Sequence, residues 1–244
     1  MPRFFVDKDK ITESTIEISG QDAFHIARSL RMAVGDELTV SDGKGCEYLA
    51  KLTHIRDELC LCEITEKKKS DTELPISVTL FMAYPKGDKL ETVIQKSVEL
   101  GADRIVPFES SRCIKKPKAE KQEKQLARLS KIAEEAAKQC GRSRLPEVSE
   151  ALSFSGMLEE TKKYDTVLFC YENEDGATIK DALEGARSAK SIAVIVGSEG
   201  GFSSEEAERI RSCGAVSVSL GKRILRCETA PLFALSCIVY GFEL

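Results

Sequence analysis

No stretch of this sequence approaches eighteen consecutive apolar residues, and its start, Met1-Pro2-Arg3-Phe4-Phe5-Val6-Asp7, lacks the apolar core of a secretory signal. Neither a membrane span nor an export signal is therefore expected, and the expected location is the cytoplasm. Cys-x-x-Cys is missing too, although there are nine cysteines, and an odd count suits a disulfide framework poorly. No metal site is expected. Cys60 and Cys62 lie two apart in an alternating run, so they share one face and read as small buried hydrophobes.

Bulk positive charge is also absent. With 36 basic residues against 40 acidic ones, the formal net charge is -4, which excludes a protein that coats nucleic acid by overall electrostatics. The distribution is another matter. Arg112 to Arg144 holds eleven basic residues (among them Lys115, Lys116, Lys118, Lys121, Lys124, Arg128, Lys131 and Lys138) against four acids. Such a stripe suits a protein that touches phosphates at one face. It equally suits a solvated helix with i,i+4 pairs such as Glu120 to Lys124, and both readings stay open.

What is present is ordinary globular text: 244 residues, 42% hydrophobic and 31% charged. From Arg3 to about Glu66 it is strand-like, with alternating segments at 15–19, 37–40, 48–52 and 59–64 separated by turns at Val34-Gly35-Asp36 and Ser41-Asp42-Gly43-Lys44-Gly45. One helix is predicted over 21–30, with apolar positions 23, 26, 27 and 30. A small β-barrel with one helix is expected, ending in a polar linker, Lys67 to Glu73. Beyond it, strands at 76–82, 104–108, 166–170, 191–196 and 215–220 alternate with helices near 87–100, 119–140, 178–187, 203–213 and 229–240, the order of an α/β domain with a mostly parallel sheet.

In such sheets ligands bind beyond the carboxyl ends of the strands. Two unusual loops fall there. Gly197-Ser198-Glu199-Gly200-Gly201-Phe202 follows the strand at 191–196, and Leu220-Gly221-Lys222-Arg223-Ile224-Leu225-Arg226-Cys227-Glu228-Thr229-Ala230 follows the strand at 215–220. Three glycines in five residues permit close backbone approach or positive φ. Ser203 to Glu206 has capping-box spacing for the next helix. The phosphate-loop patterns Gly-x-Gly-x-x-Gly and Gly-Lys-Ser/Thr are both missing, and Glu199 would repel a pyrophosphate. A neutral or cationic ligand fits better, and S-adenosylmethionine qualifies.

These two loops resemble the RsmE family of SPOUT-type RNA methyltransferases. The resemblance extends to Pro2-Arg3-Phe4-Phe5, His25 with Leu30-Arg31 and Gly35-Asp36, Lys86-Gly87 with Gln95-Lys96 and Glu99-Leu100-Gly101, and Gln139-x-Gly141-Arg142. It implies an N-terminal PUA-like β-barrel over 1–70 for RNA recognition and, over 74–244, a SPOUT α/β methyltransferase domain ending in a trefoil knot. It further implies a homodimer that uses S-adenosylmethionine to methylate N3 of a uridine in 16S ribosomal RNA of the small subunit. Two positions depart from the family pattern: Ser198 stands where proline is usual and Cys227 where threonine is usual. The Gly-Ser-Glu-Gly loop is similar to that of SpoU-type ribose methyltransferases, which differ in the second loop. A non-catalytic RNA-binding factor and a nucleotide-dependent oxidoreductase are the readings from other classes.

The resemblance also assigns residues. Arg226 would stabilise the negative charge that develops as the N3 proton leaves, with Glu228 or Glu199 receiving the proton or orienting Arg226. Cofactor contacts would come from Val196, Gly197, Glu199, Gly200 and Gly201 in the first loop, and from Leu220, Gly221, Ile224, Leu225 and Thr229 in the second. Phe169 and Tyr171 would form another wall. Arg3, Arg28, Arg31, Lys86, Lys89, Arg112, Arg142 and Arg144 would meet RNA, mainly at phosphates.

Overall fold

A computed structural model of the protein describes residues 1–113, 122–172 and 177–244. They fall into two units, Met1–Glu73 with Ala137–Leu145, and Leu74–Ala136 with Pro146–Leu244.

In the first unit, β1 (Arg3–Phe5), β2 (Thr15–Ser19), β3 (Glu37–Ser41), β4 (Cys46–Ile55) and β5 (Leu59–Lys69) form one sheet in the order β1-β3-β4-β5-β2. Neighbours are antiparallel except β1 and β3. Alternation sends Ile16, Ile18, Leu38, Val40, Cys60 and Cys62 into a shared core. Two register shifts between β4 and β5, at Leu49/Ala50 and Leu52/His54, add the local twist that curls the sheet around that core. The helix expected over 21–30 is present as α1 (Gln21–Phe24) continued by a π-turn over His25–Ser29. The Leu30 amide bonds to the His25 carbonyl, one residue further back than in an α-helix. That slip rotates the apolar face, so Ala23 and Ile26 are buried while Leu30 is left 40% exposed.

The expected linker is not one throughout. Lys67–Lys69 extend β5 and pair with Cys46–Tyr48, because the long β4 supplies ladder partners for them. Glu73 is drawn in by Arg142, at 2.7 Å, with both side chains buried. The segment Ala137–Leu145 consequently groups with the first unit, which no local sequence signal indicates.

In the second unit, β6 (Ser77–Ala83), β7 (Arg104–Phe108), β8 (Glu147–Val148), β9 (Thr166–Cys170), β10 (Ser191–Val196) and β11 (Val216–Val218) form a parallel sheet, order β11-β9-β10-β6-β7-β8. The helices are α2 (Lys89–Glu99), α3 (Gln122–Cys140), α4 (Phe154–Thr161), α5 (Ile179–Gly185), α6 (Ser204–Ser212) and α7 (Thr229–Phe242). The last turn of α3 belongs to the first unit. β8 and α4 were not anticipated: one is two residues long, and the other is a short helix whose clearest local signal is the Ser153 cap that accepts the Gly156 amide. After β10 the chain passes β9 to form β11 at the edge. Residues 219–228 then bring it back, so that α7 packs on α2, α5 and β10. Both loops thereby return to the carboxyl ends of the central strands.

Candidate functional site

The first loop is held by its glycines and by the helix that follows. A side chain at Gly197 would begin 2.9 Å from the Phe202 ring and 3.2 Å from the Gly201 backbone, so the turn closes only with hydrogen there. Gly201 has φ +60 and donates its amide to the Ser198 carbonyl at 2.9 Å. Phe202 is buried, stacked on Phe108 and edge-on to Phe169. Ser203 and Glu206 form the expected reciprocal capping box of α6. Glu206 also accepts the amide and hydroxyl of Ser111, which ties a third loop to this helix start. The second loop ends as the Arg226 carbonyl accepts the amides of Thr229 and Ala230 at 2.8 and 2.9 Å, the first turn of α7.

Between the two loops lies a cavity of about 510 Å³. That is within the usual range for small-ligand sites. Tyr171, Val196, Gly197, Glu199, Gly200, Gly201, Leu220, Gly221, Ile224 and Leu225 all line it, as does Arg226. Phe169 and Thr229 do not, contrary to expectation. Phe169 is fully buried, covered by the Tyr171 and Phe202 rings. Thr229 is exposed on the opening turn of α7. Glu172, Ser198, Lys222 and Arg223, within the stretches expected there, line it too, and so does Lys89, which was assigned to RNA instead. The apolar Ile224 is 88% exposed at its wall.

The electrostatics centre on Lys89, the first residue of α2. Its Nζ lies 3.0 Å from Glu199 Oε1 and 3.2 Å from Glu228 Oε2. Contact with both carboxylates raises the Lys89 ammonium above its ordinary value. Partial burial pushes Glu199 up, but its own amide, Lys89 and the Lys86 amide bring it below the usual carboxylate range. Glu228 is lowered too, first by its own amide and then by the Cys227 thiol and Lys89. Cys227, mostly buried, donates to Glu228 at 3.2 Å, and burial followed by that bond pushes its thiol up to about 12. Two expectations change. Both carboxylates are engaged by Lys89, and Arg226 is exposed with no side-chain partner among the described residues. Lys89 is committed to the two glutamates rather than open to RNA. Glu199 is correspondingly neutralised, so its repulsion of a phosphate is weaker than the sequence suggests. The case for an uncharged or cationic ligand rests instead on glycine backbone and apolar wall.

Residues 72–239 match the RNA methyltransferase domain family, and residues 18–65 match the RNA methyltransferase PUA domain. The chain is 36% identical to ribosomal RNA small subunit methyltransferase E of Bacillus subtilis (strain 168), covering 100% of this chain and 98% of that one. The chain belongs to the RsmE family of RNA methyltransferases. A relative from Synechocystis with the same name is 33% identical, over 97% of this chain and 76% of that one. The crystal structure of ribosomal RNA small subunit methyltransferase E from Neisseria gonorrhoeae, bound to S-adenosyl methionine, superposes with a TM-score of 0.86 at 32% identity, covering 98% and 97% of the two chains. The curled PUA-like sheet and the parallel α/β sheet are thus the architecture of the RsmE family. Among the described residues no helix is long and apolar enough to cross a membrane. No group of three or more histidine, cysteine or acidic side chains could hold a metal there.

For a member of the RsmE family, the basic residues decide where RNA can touch, and the structure sorts them. Arg3, half-buried, is paired with the buried Glu47, and Arg142 is itself buried against Glu73, where a phosphate cannot reach its guanidinium. Arg28 is exposed but forked onto Asp57. Arg112 gives one bond to the Gly200 carbonyl at 2.9 Å and so braces the first loop. Lys86, Arg31 and Arg144 remain exposed, Arg31 with a positive φ of 52. Lys115, Lys116, Lys118 and Lys121 lie outside the described residues.

Proposed function

We propose that this protein methylates N3 of a uridine in 16S ribosomal RNA, working as a homodimer in the cytoplasm. The chain is a methyltransferase acting on ribosomal RNA, with S-adenosylmethionine as methyl donor. The observation that carries the reading is a cavity lined by the glycine backbone of the first loop and by Leu220, Ile224 and Leu225, with an Arg226 that has no side-chain partner among the described residues.

The residues present fit that cofactor. Carbonyls and amides of Val196 to Gly201 and of Leu220 to Leu225 would hold its polar groups, and Leu220, Leu225 and the exposed Ile224 would cover its adenine. The sulfonium supplies the methyl group. As the new N3–carbon bond forms, the N3 proton must leave, and negative charge spreads over N3 and a flanking carbonyl oxygen. The Arg226 guanidinium offers paired donors to that charge. Glu199 and Glu228 are both engaged by Lys89, and the N3 proton is lost to solvent as the methyl group leaves sulfur for nitrogen. Lys86, Arg31 and Arg144 supply phosphate contacts, which position the RNA without choosing the base. The exposed Phe233 and Tyr240 on α7 support a subunit interface.

Labelled methyl transfer to ribosomal RNA from a strain lacking the modification, followed by digestion, tests the assignment. 3-Methyluridine is the expected product; 2'-O-methylribose would move the chain to ribose chemistry. Arg226→Ala should bind S-adenosylmethionine normally by calorimetry yet lose roughly 100- to 1,000-fold in transfer rate. Loss of both together would remove the role given to Arg226.

A further inference from the structure

The clamp at Lys89 is an odd construction for a helix start. The N-terminus of a helix favours anions, and a lysine at its first position works against the dipole. Its side chain serves another purpose. One ammonium bridges a carboxylate from each loop and lies 3.8 Å from the Cys227 sulfur between them. A compact ammonium with three donors can serve several acceptors at once, whereas the neighbouring cations of the cavity, Lys222, Arg223 and Arg226, are in contact with neither carboxylate.

We propose that Lys89 is a positioning residue for methyl transfer: it fastens the Glu199 loop to the Glu228 loop and keeps both carboxylates off Arg226. The inference rests on the function proposed above and assigns Lys89 a place in it. The reasoning follows from charge. Without Lys89, two carboxylates are left without their shared cation, and the Arg226 guanidinium, which has no partner among the described residues and stands two residues from Glu228, is a substitute on the same loop. An Arg226 neutralised in this way cannot stabilise a developing anion, and the loops that wall the cavity lose their common tie. Glu199 keeps the Lys86 amide, so the first loop loosens without unfolding.

Variants of Lys89 and of the two carboxylates test this, with wild type alongside and thermal melts confirming folding. Lys89→Met is expected to lower kcat about 100-fold, the scale of a small misplacement in a reacting site. It should weaken S-adenosylmethionine binding by roughly tenfold in calorimetry and leave KM for RNA nearly unchanged. Lys89→Arg should restore most of the rate. In the Lys89→Met background, adding Glu228→Gln should recover about tenfold in kcat by removing the carboxylate that captures Arg226. If Lys89→Met does not fold, Glu199→Gln, which removes one arm of the clamp, should show the same loss of cofactor affinity. A raised KM for RNA with kcat and cofactor affinity intact would make Lys89 a phosphate contact and overturn the proposal. So would a double variant no better than Lys89→Met. An inactive wild type counts against the proposed function, whereas an active wild type matched by Lys89→Met counts against the clamp alone.

Discussion

In the first unit Arg142 is buried, its side chain 4% exposed, and it gives two hydrogen bonds to a Glu73 carboxylate that also accepts the amides of Ser143 and Arg144. In the second unit Arg226 stands exposed on the cavity lining with no ion pair among the described residues, while Glu199 and Glu228 are taken by Lys89. The same side chain is spent on architecture in one unit and left available for chemistry in the other. What separates them is burial together with who supplies the counter-charge. A buried guanidinium must be paired to exist there, and a catalytic one must be unpaired to act.

The largest effect that would break this contrast is Arg142→Met. Removing one partner of a buried pair leaves the Glu73 charge uncompensated, and unfolding in denaturant should show a loss of about 3–5 kcal/mol. Arg226→Ala should leave the same curve unmoved. Burial pushes the Glu73 carboxyl up, but Arg142 and the amides of Ser143 and Arg144 outweigh it and hold it below its ordinary 4.5. Its contribution is therefore complete above pH 4.5 and is lost as pH falls through the lower folded value. Arg142→Met should flatten that acid limb.

A medium effect belongs to the loop that serves the cavity. Gly197→Ala places a methyl group against the Phe202 ring and the Gly201 backbone, and should cost about 1–3 kcal/mol as well as cofactor affinity, read by melting and calorimetry. The smallest effect is expected at Arg28, whose pair with Asp57 is exposed on both sides. Arg28→Ala should not move the melting midpoint measurably, and a clear shift would show that exposed pairs in the first unit also bear on its architecture.

Much of the second unit was readable because its signals are local. The runs at 104–108, 166–170 and 191–196 match β7, β9 and β10 residue for residue, since strands buried on both faces are written as continuous apolar text. Ser203 and Glu206 announced the start of α6. The cavity loops were legible for a related reason: three glycines in five residues have few uses. Less was readable where partners are remote. Glu73 and Arg142 stand 69 residues apart, and the pairing that turns a polar linker residue into a buried anchor leaves no mark on either neighbourhood. Lys89 likewise looks like one more basic residue until α2 is set beside the returning loop. Phe169 was assigned to the cavity wall from its position at a strand end, but the Tyr171 and Phe202 rings cover it, and Phe202 comes from a different strand end.

The sequence by itself determined the elements, the two glycine- and arginine-bearing loops at strand ends, and the family they resemble, because propensity, periodicity and turn chemistry act over a few residues. Only the tertiary structure decided which charges are free. Whether an arginine or lysine is anchor, clamp or reagent depends on burial and on carboxylates brought from distant parts of the chain, and those meet only when the sheet is assembled.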